Sequence, residues 1–246
     1  MTSLAAWPGI DSRGLSTLYI VSDSRLSWPG STDYWDYGAK VFACPSSPDI
    51  FGFYGDVLLP SMILPRLVEA PILASIPAAT SRHALVYQTV RSCGEALPGT
   101  RRKTFGILHA SRNGEGMESD RLLWHLQWVP NQGWSDKQIS LEATSALTIS
   151  LGTGELVVAN YTTASRSELG SVSRSVFVGF CDSLISGEDP LSGGPPQLAG
   201  LYRHGHGIHF GVIFQGRSYY RGIDASSLEL PDLKWRNELF ERCDSK

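Results

Sequence analysis

The first two residues of the chain offer a nucleophile and a base together. The sequence begins Met1-Thr2, and a small residue after the initiator methionine permits removal of that methionine. Thr2 would then carry a hydroxyl nucleophile and, on the same residue, an amine whose ordinary pKa is about 7.7–8.0. Such an amine can act as a general base near neutral pH, so no histidine is needed. An ordinary protein that loses its first methionine can begin in the same way. Thr2 alone therefore does not indicate catalysis, and other residues must support this role.

Three further residues in the first third of the chain could assist such a nucleophile. Asp23 ends the apolar run LYIVSDSR, Lys40 lies in YGAKVF, and Gly55 lies in GFYGD. A lysine ammonium favours deprotonation of a nearby hydroxyl, and an aspartate can pair with and orient that ammonium. A glycine N–H can donate to a tetrahedral oxyanion. Singly, the lysine is also typical of a strand edge and the aspartate of a turn.

Two glycine-containing motifs follow in the second half of the chain. Residues 189–194 read DPLSGG, and residues 152–154 read GTG. In this order, and with the residues above, they resemble the signature of proteasome β-subunits and HslV, which are N-terminal-nucleophile hydrolases. The family motifs are Asp-x-x-Ser-Gly-Gly and Gly-Ser-Gly, so Thr153 replaces a serine. In layout the resemblance covers almost the whole chain, although the stretch between Gly55 and Gly152 is longer than usual.

The resemblance implies a threonine-type peptidase that uses no cofactor. Thr2 would attack the scissile carbonyl while its amine takes the proton, with Lys40 and Asp23 favouring the alkoxide. We expect loss of either of these two charges to lower the rate more than the stability. The Gly55 N–H would bind the oxyanion, and three side chains would hold the new N-terminus. The implied catalytic set is Thr2, Asp23, Lys40, Gly55, Thr153, Asp189 and Ser192.

The resemblance also implies a pocket for the substrate side chain that precedes the cleaved bond. Its lining would be Leu26, Gly38, Phe53 and Val57. This mostly apolar set predicts a preference for hydrophobic side chains, which gain free energy when their surface is buried. Phe53 and Val57 could equally belong to the protein core.

Apolar patterning predicts the elements that must position these residues. Strands are expected in the first fifty-five residues, followed by helical spacing from Asp56 and again over Ser81–Ala96, and then by further strands. A second helical pair is expected over Gly152–Asn160 and Arg166–Ser186, before closing strands. Asn131–Gln138 is expected to be a mobile loop. This order favours the α+β class, with one domain over residues 1–246 folded as a four-layer αββα sandwich.

Composition excludes several other classes of function. The formal net charge is -3 over 246 residues and no basic run stands out, which disfavours nucleic acid as a partner. No apolar run reaches membrane-spanning length, and the four cysteines form no CxxC pair. His204 and His206 share a face but have no acidic or cysteine neighbour, so we expect no metal site. The expected location is the cytoplasm.

The resemblance also implies binding partners, and two alternative functions are possible. The resemblance implies a peptide or protein substrate, a ring-shaped homo-oligomer that encloses its active sites, and an ATP-dependent unfoldase as a possible partner. Tryptophans in loop-like segments also fit a non-catalytic, proteasome-like structural or binding subunit. A third possibility retains the N-terminal nucleophile but gives it a small amide as substrate.

Overall fold

The structure, a computed structural model, describes residues 2–28, 30–228, 230 and 232–243. Met1, whose removal is expected, lies outside the described residues.

Strands make up most of the regular structure. In chain order they are β1 (Ser3–Asp11), β2 (Gly14–Ser22), β3 (Leu26–Ser27), β4 (Tyr34–Trp35), β5 (Val41–Ala43), β6 (Asp49–Gly55), β7 (Phe105–Asn113), β8 (Asp120–Val129), β9 (Gly133–Ile139), β10 (Ile149–Gly152), β11 (Gln197–Tyr202), β12 (Ile208–Phe214), β13 (Arg217–Tyr220), β14 (Ile223–Asp224), β15 (Trp235–Asn237) and β16 (Arg242–Cys243).

These strands form two large, mainly antiparallel sheets and one short hairpin. The first sheet has the order β10-β1-β2-β11-β12-β13-β14. Outside this order, β15 pairs in parallel with β12 and antiparallel with β16. The second sheet has the order β5-β6-β7-β8-β9, and β3 pairs only with β4 in the part of the chain described. Because β1 lies between β2 and β10, its first residues are held on both sides.

Four α-helices accompany the sheets within the described ranges. They are α1 (Leu58–Glu69), α2 (Ala79–Ala96), α3 (Glu155–Leu169) and α4 (Ser173–Ser186). Short 3-10 turns occur at Gly99–Arg101 and Gly116–Glu118. The chain is therefore a mixed α and β structure, as the sequence predicts. No helix in the described part of the chain combines the length and the apolar character needed to cross a bilayer.

Apolar side chains pack both sheets on both faces. On β6, Phe51 and Phe53 pack with residues of α1 and α2, whereas Ile50 faces Leu4 and Ile20 of the first sheet. This division follows from the alternation of side chains along a strand. A third cluster joins α3 and α4 to β1, β2, β11 and β12. Each large apolar side chain buried in this way contributes about 1.5–3 kcal/mol.

Two segments differ from the sequence prediction. The gap between the two helices of the second pair lies later in the chain than expected. The first of them, α3, continues to Leu169, and Gly170 caps it with a φ of 80°, which favours glycine. Residues expected to form a mobile loop instead form β9, which pairs with β8 along its length. Asn131 and Gly133, both at positive φ, supply the turn of this hairpin. The polar segment is thus fixed by backbone pairing.

A partly buried histidine makes the stability of this fold depend on pH. The Ala43 N–H donates to His209 Nε2 at 3.0 Å. Burial, together with the charge of Arg221, lowers the pKa of His209 to about 3. The unfolded chain, with an ordinary pKa near 6.5, therefore binds this proton first as the pH falls. We expect the free energy of unfolding to decrease between pH 6.5 and 3, by up to about 1.4 kcal/mol per pH unit from this residue.

Denaturant unfolding over a pH series tests this prediction. His209→Gln should flatten the decline, and the same change at the exposed His206 should leave the decline as it is. Identical pH profiles for the wild-type protein and both variants would contradict the assignment to His209.

Candidate active site

Thr2 lies directly before β1, where a turn from β10 contacts it. Its side chain is 0% exposed, and its backbone nitrogen donates to Thr153 Oγ1 at 3.3 Å. Ser3 pairs with Gly152, which has a φ of 95°. A Cβ added at Gly152 would stand 1.9 Å from the Thr2 carbonyl oxygen. The close approach of these two backbones therefore requires glycine at this position.

We predict that Gly152→Ala displaces Thr2 as well as straining the turn. Gly170→Ala is the matched control, because Gly170 also has positive φ but an added Cβ there meets nothing within 4 Å. Both variants should lose about 1–2 kcal/mol of stability from the left-handed backbone. Only Gly152→Ala should also slow the reaction of Thr2 with an electrophile, by about tenfold or more. Equal reaction rates in the two variants, measured by mass spectrometry, would refute the prediction.

Asp23 and Lys40 form an ion pair beside the first strand. Both side chains are 0% exposed, and Lys40 Nζ lies 2.8 Å from Asp23 Oδ1. The ammonium also donates to the carbonyl oxygen of Arg25. Asp23 accepts further hydrogen bonds from the backbone N–H groups of Ser3, Arg25 and Gly193, at 3.1, 3.1 and 3.0 Å. The carboxylate thus joins the start of β1, the end of β2 and the DPLSGG motif.

Burial changes the acidity of Lys40. Removal from water lowers its pKa, and the neighbouring Asp23 only partly opposes this effect. An ammonium with a lowered pKa gives up a proton more easily than an exposed lysine does. This environment suits a group that takes part in proton transfer or stabilises an alkoxide.

Gln197 holds the backbone around this ion pair, and the sequence analysis missed it. Its Oε1 accepts from the Lys40 N–H at 3.1 Å, and its Nε2 donates to the Gly38 carbonyl at 2.6 Å and to Ser24 Oγ at 2.9 Å. A glutamine that begins the otherwise apolar strand QLAGLY, three residues after the DPLSGG motif, was the available signal.

A chain of hydroxyl groups connects Thr2 with the DPLSGG motif. Thr153 Oγ1 and Ser192 Oγ each donate to Asp189 Oδ2 at 2.7 Å, and Ser3 Oγ donates to Ser192 Oγ at 2.9 Å. Since Thr153 directs its proton to Asp189, its oxygen accepts from the Thr2 nitrogen. The structure therefore brings Thr153, Asp189 and Ser192 together at the start of β1. Their catalytic roles stay predictions.

Gly55 ends β6 and cannot be replaced without strain. Its φ is 86°, and an added Cβ would stand 2.5 Å from the Thr104 carbonyl oxygen. Gly55, Asp56 and Val57 line a cleft together with Thr153. The role of Gly55 as oxyanion donor stays a prediction.

The cleft has a volume of about 880 Å³, which is within the range of small-molecule sites. Its lining residues are Leu26, Ser27, Trp28, Tyr54, Gly55, Asp56, Val57, Lys103, Thr104, His125, Gln127, Leu151, Gly152, Thr153 and Glu155.

Two of the four residues predicted to bind substrate line this cleft and two do not. Leu26 and Val57 are lining residues, while the buried Gly38 packs behind Leu26, whose Cγ would lie 2.7 Å from an added Cβ. Phe53 is 1% exposed and packs into the core with α1 and α2. Successive strand residues face opposite ways, so Tyr54 occupies the cleft instead. The expected placement of Phe53 in the pocket wall is therefore corrected.

Several aromatic side chains are exposed in and around β3 and β4, and one of them, Trp28, lines the cleft. Trp28, Tyr34, Trp35 and Tyr37 are about half exposed. Arg25 stacks on Tyr34, 3.7 Å from the ring centre, and forms two hydrogen bonds to Asp36 at 2.8 and 2.9 Å. The hydrogen bonds to Asp36 raise the pKa of Arg25.

Within the described residues, no three His, Cys, Asp or Glu side chains are grouped to hold a metal ion.

Comparison with known proteins supports the fold only. No family model matches the sequence, and no curated protein matches it. A similar solved structure is that of Thiobacillus denitrificans BPH in complex with epoxomicin, with a TM-score of 0.53 and 11% identity. The match covers 83% of this chain and 100% of that one. At this identity the likeness concerns the fold alone.

Proposed function

We propose that the chain is an N-terminal-nucleophile hydrolase of threonine type, with the four-layer αββα arrangement of the proteasome β-subunits and HslV. The observation that carries the proposal is the convergence of two polar groups on two adjacent residues. The hydroxyl chain through Thr153 to Asp189 reaches the Thr2 nitrogen, and the buried Asp23–Lys40 pair binds the adjacent Ser3 N–H. Thr153 also lines the cleft.

The proposed reaction needs only groups of this chain. After removal of Met1, the Thr2 hydroxyl attacks the scissile carbonyl, and the Thr2 amine takes the hydroxyl proton. Lys40 stabilises the developing alkoxide, and the Gly55 N–H donates to the tetrahedral oxyanion. Proton return to the leaving nitrogen breaks the amide bond and leaves an ester on Thr2. Water, deprotonated by the same amine, then hydrolyses the ester and restores the enzyme.

The structural neighbour provides a suitable probe for this proposal. Because BPH has been solved with epoxomicin bound, we infer that the present cleft accepts a compound of the same kind. The intact mass of the purified protein should show loss of Met1. Treatment with epoxomicin, or with a β-lactone, should then add one molecule per chain. Retained Met1, or a trimmed chain that reacts with neither compound, would contradict the proposal and favour the non-catalytic structural or binding subunit.

We further propose a single domain that assembles into a cytoplasmic homo-oligomer, with an ATP-dependent unfoldase as a possible partner. Large aromatic side chains on the surface, such as Trp35 and Tyr37, are of the type that anchors protein contacts. Light scattering tests the assembly, because a monomer of 26.9 kDa at micromolar concentration would exclude the ring.

A small amide is the second candidate substrate. The cleft volume of about 880 Å³ matches a site for one small molecule, without requiring a long peptide. Turnover of short acyl amides in the absence of peptide cleavage would favour this alternative.

A further inference from the structure

The lining of the cleft includes apolar and polar residues. Leu26 and Trp28, which follow β2, are apolar lining residues. Thr153 and Glu155, which follow β10, are polar lining residues, and together with Tyr54, His125 and Gln127 they are called the polar arm here. A substrate bound in the cleft therefore meets both environments.

Three side chains of the polar arm belong to the second sheet. The Tyr54 ring lies over Gly106, where an added Cβ would be 2.3 Å from the ring. The Tyr54 hydroxyl accepts from Gln127 Nε2 at 2.9 Å and is 3.0 Å from His125 Nε2. Because the Gln127 nitrogen is used in this way, its Oε1 is the atom left to accept from a ligand. No hydrogen bond from the described residues reaches that oxygen.

Charge in the cleft is predominantly negative. Asp56 and Glu155 contribute two carboxylates to the lining, and Lys103 contributes one ammonium. Burial and the charge of Lys137 lower the pKa of His125, so this ring is neutral at pH 7. Burial, reinforced by the charge of Glu155, raises the pKa of Tyr54 to about 12, so the hydroxyl keeps its proton. The polar arm thus presents acceptors and a carboxylate to a bound group.

We propose that the polar arm binds a cationic side chain of the substrate, of the arginine or lysine class, through an ion pair with Glu155 and a hydrogen bond to Gln127. This inference rests on the proposed hydrolase function and specifies its substrate class. The substrate then carries both an apolar and a cationic side chain close to the cleaved bond. Glu155 also begins α3, where an acid is favoured by the helix dipole. Helix stability alone, however, does not account for the acceptor oxygen of Gln127 in the same cleft lining.

Peptide binding to the Thr2→Ala variant tests this inference separately from catalysis. Two blocked tetrapeptides, with Leu-Arg and Arg-Leu at their centres, present the cation on either side of the central bond. Citrulline analogues keep the shape of arginine and remove its charge. We expect the arginine form of one peptide to bind about fivefold more tightly than its citrulline analogue, as for an ion pair at an exposed site. Calorimetry at low ionic strength measures this difference.

Variants of the two wall residues complete the test. Glu155→Gln should abolish the discrimination between arginine and citrulline, whereas Glu142→Gln, at an exposed position outside the cleft lining, should retain it. Gln127→Leu should weaken binding of both forms. Equal affinity for arginine and citrulline in both peptide orders, or no binding of either arginine peptide at millimolar concentration, would overturn the inference. Failure of the electrophile to label wild-type Thr2 would instead refute the hydrolase function.

Discussion

Thr2→Ala should lower the rate of acylation and of amide hydrolysis by about a thousandfold or more, because it removes the attacking oxygen while leaving the amine in place. The side chain is small, so we expect a loss of stability of only about 1 kcal/mol and an unchanged oligomer. Intact mass after exposure to a β-lactone or epoxomicin measures the acylation directly. A single adduct on the wild-type chain and none on the variant is the expected pair of spectra.

Thr2→Ser is the conservative control for this prediction. It keeps a hydroxyl nucleophile and a residue small enough to permit removal of Met1. We expect it to retain measurable acylation. Full labelling of Thr2→Ala would place the nucleophile elsewhere, and the cysteines would then be the first residues to map.

Lys40→Met should decrease the free energy of unfolding by about 3–5 kcal/mol, because it leaves the Asp23 carboxylate buried without its counter-ion. This is a large part of the 5–15 kcal/mol that is usual for a folded domain. Denaturant unfolding measures the change. We expect this loss of stability in addition to the lower rate that the sequence predicts, because both charges are completely buried.

A double-mutant cycle separates the ion pair from other effects of the substitution. Asp23→Asn combined with Lys40→Met removes both charges, so the double variant should be more stable than the sum of the single losses predicts. Additive losses would mean that the two charges do not interact. A loss below about 1 kcal/mol for Lys40→Met alone would contradict the buried pair itself.

Whether a residue of the candidate site can be predicted from the sequence depends on its type. The polar motifs are readable because their chemistry requires particular residue types, and the structure brings Thr2, Asp23, Lys40, Thr153 and Asp189 together. Gln197 could not be found in this way. Its contact with Lys40 joins positions 157 residues apart, and only the pairing of β11 with β2 brings it there.

The wall of the cleft shows a second limit of prediction from the sequence. In the run IFGFYG almost every position is apolar or glycine, so the sequence does not reveal which residues face the core. A shift of one residue reverses the face of every side chain in a strand. The resemblance implies Phe53 in the pocket, whereas the structure has Tyr54 there. The hairpin of β8 and β9 was missed because its second strand is polar and is specified by backbone pairing.

The position of Thr2 between two paired strands has a practical consequence for work on this protein. The residue that follows Thr2 pairs with Gly152, and its neighbour Leu4 pairs with Ser22. In the proposed mechanism Thr2 acts through its α-amine, which a purification tag or fusion partner joined ahead of Thr2 would convert into an amide, with added bulk at a packed position. Recombinant protein should therefore carry its tag after the last strand, or behind a leader whose cleavage leaves Thr2 as the first residue.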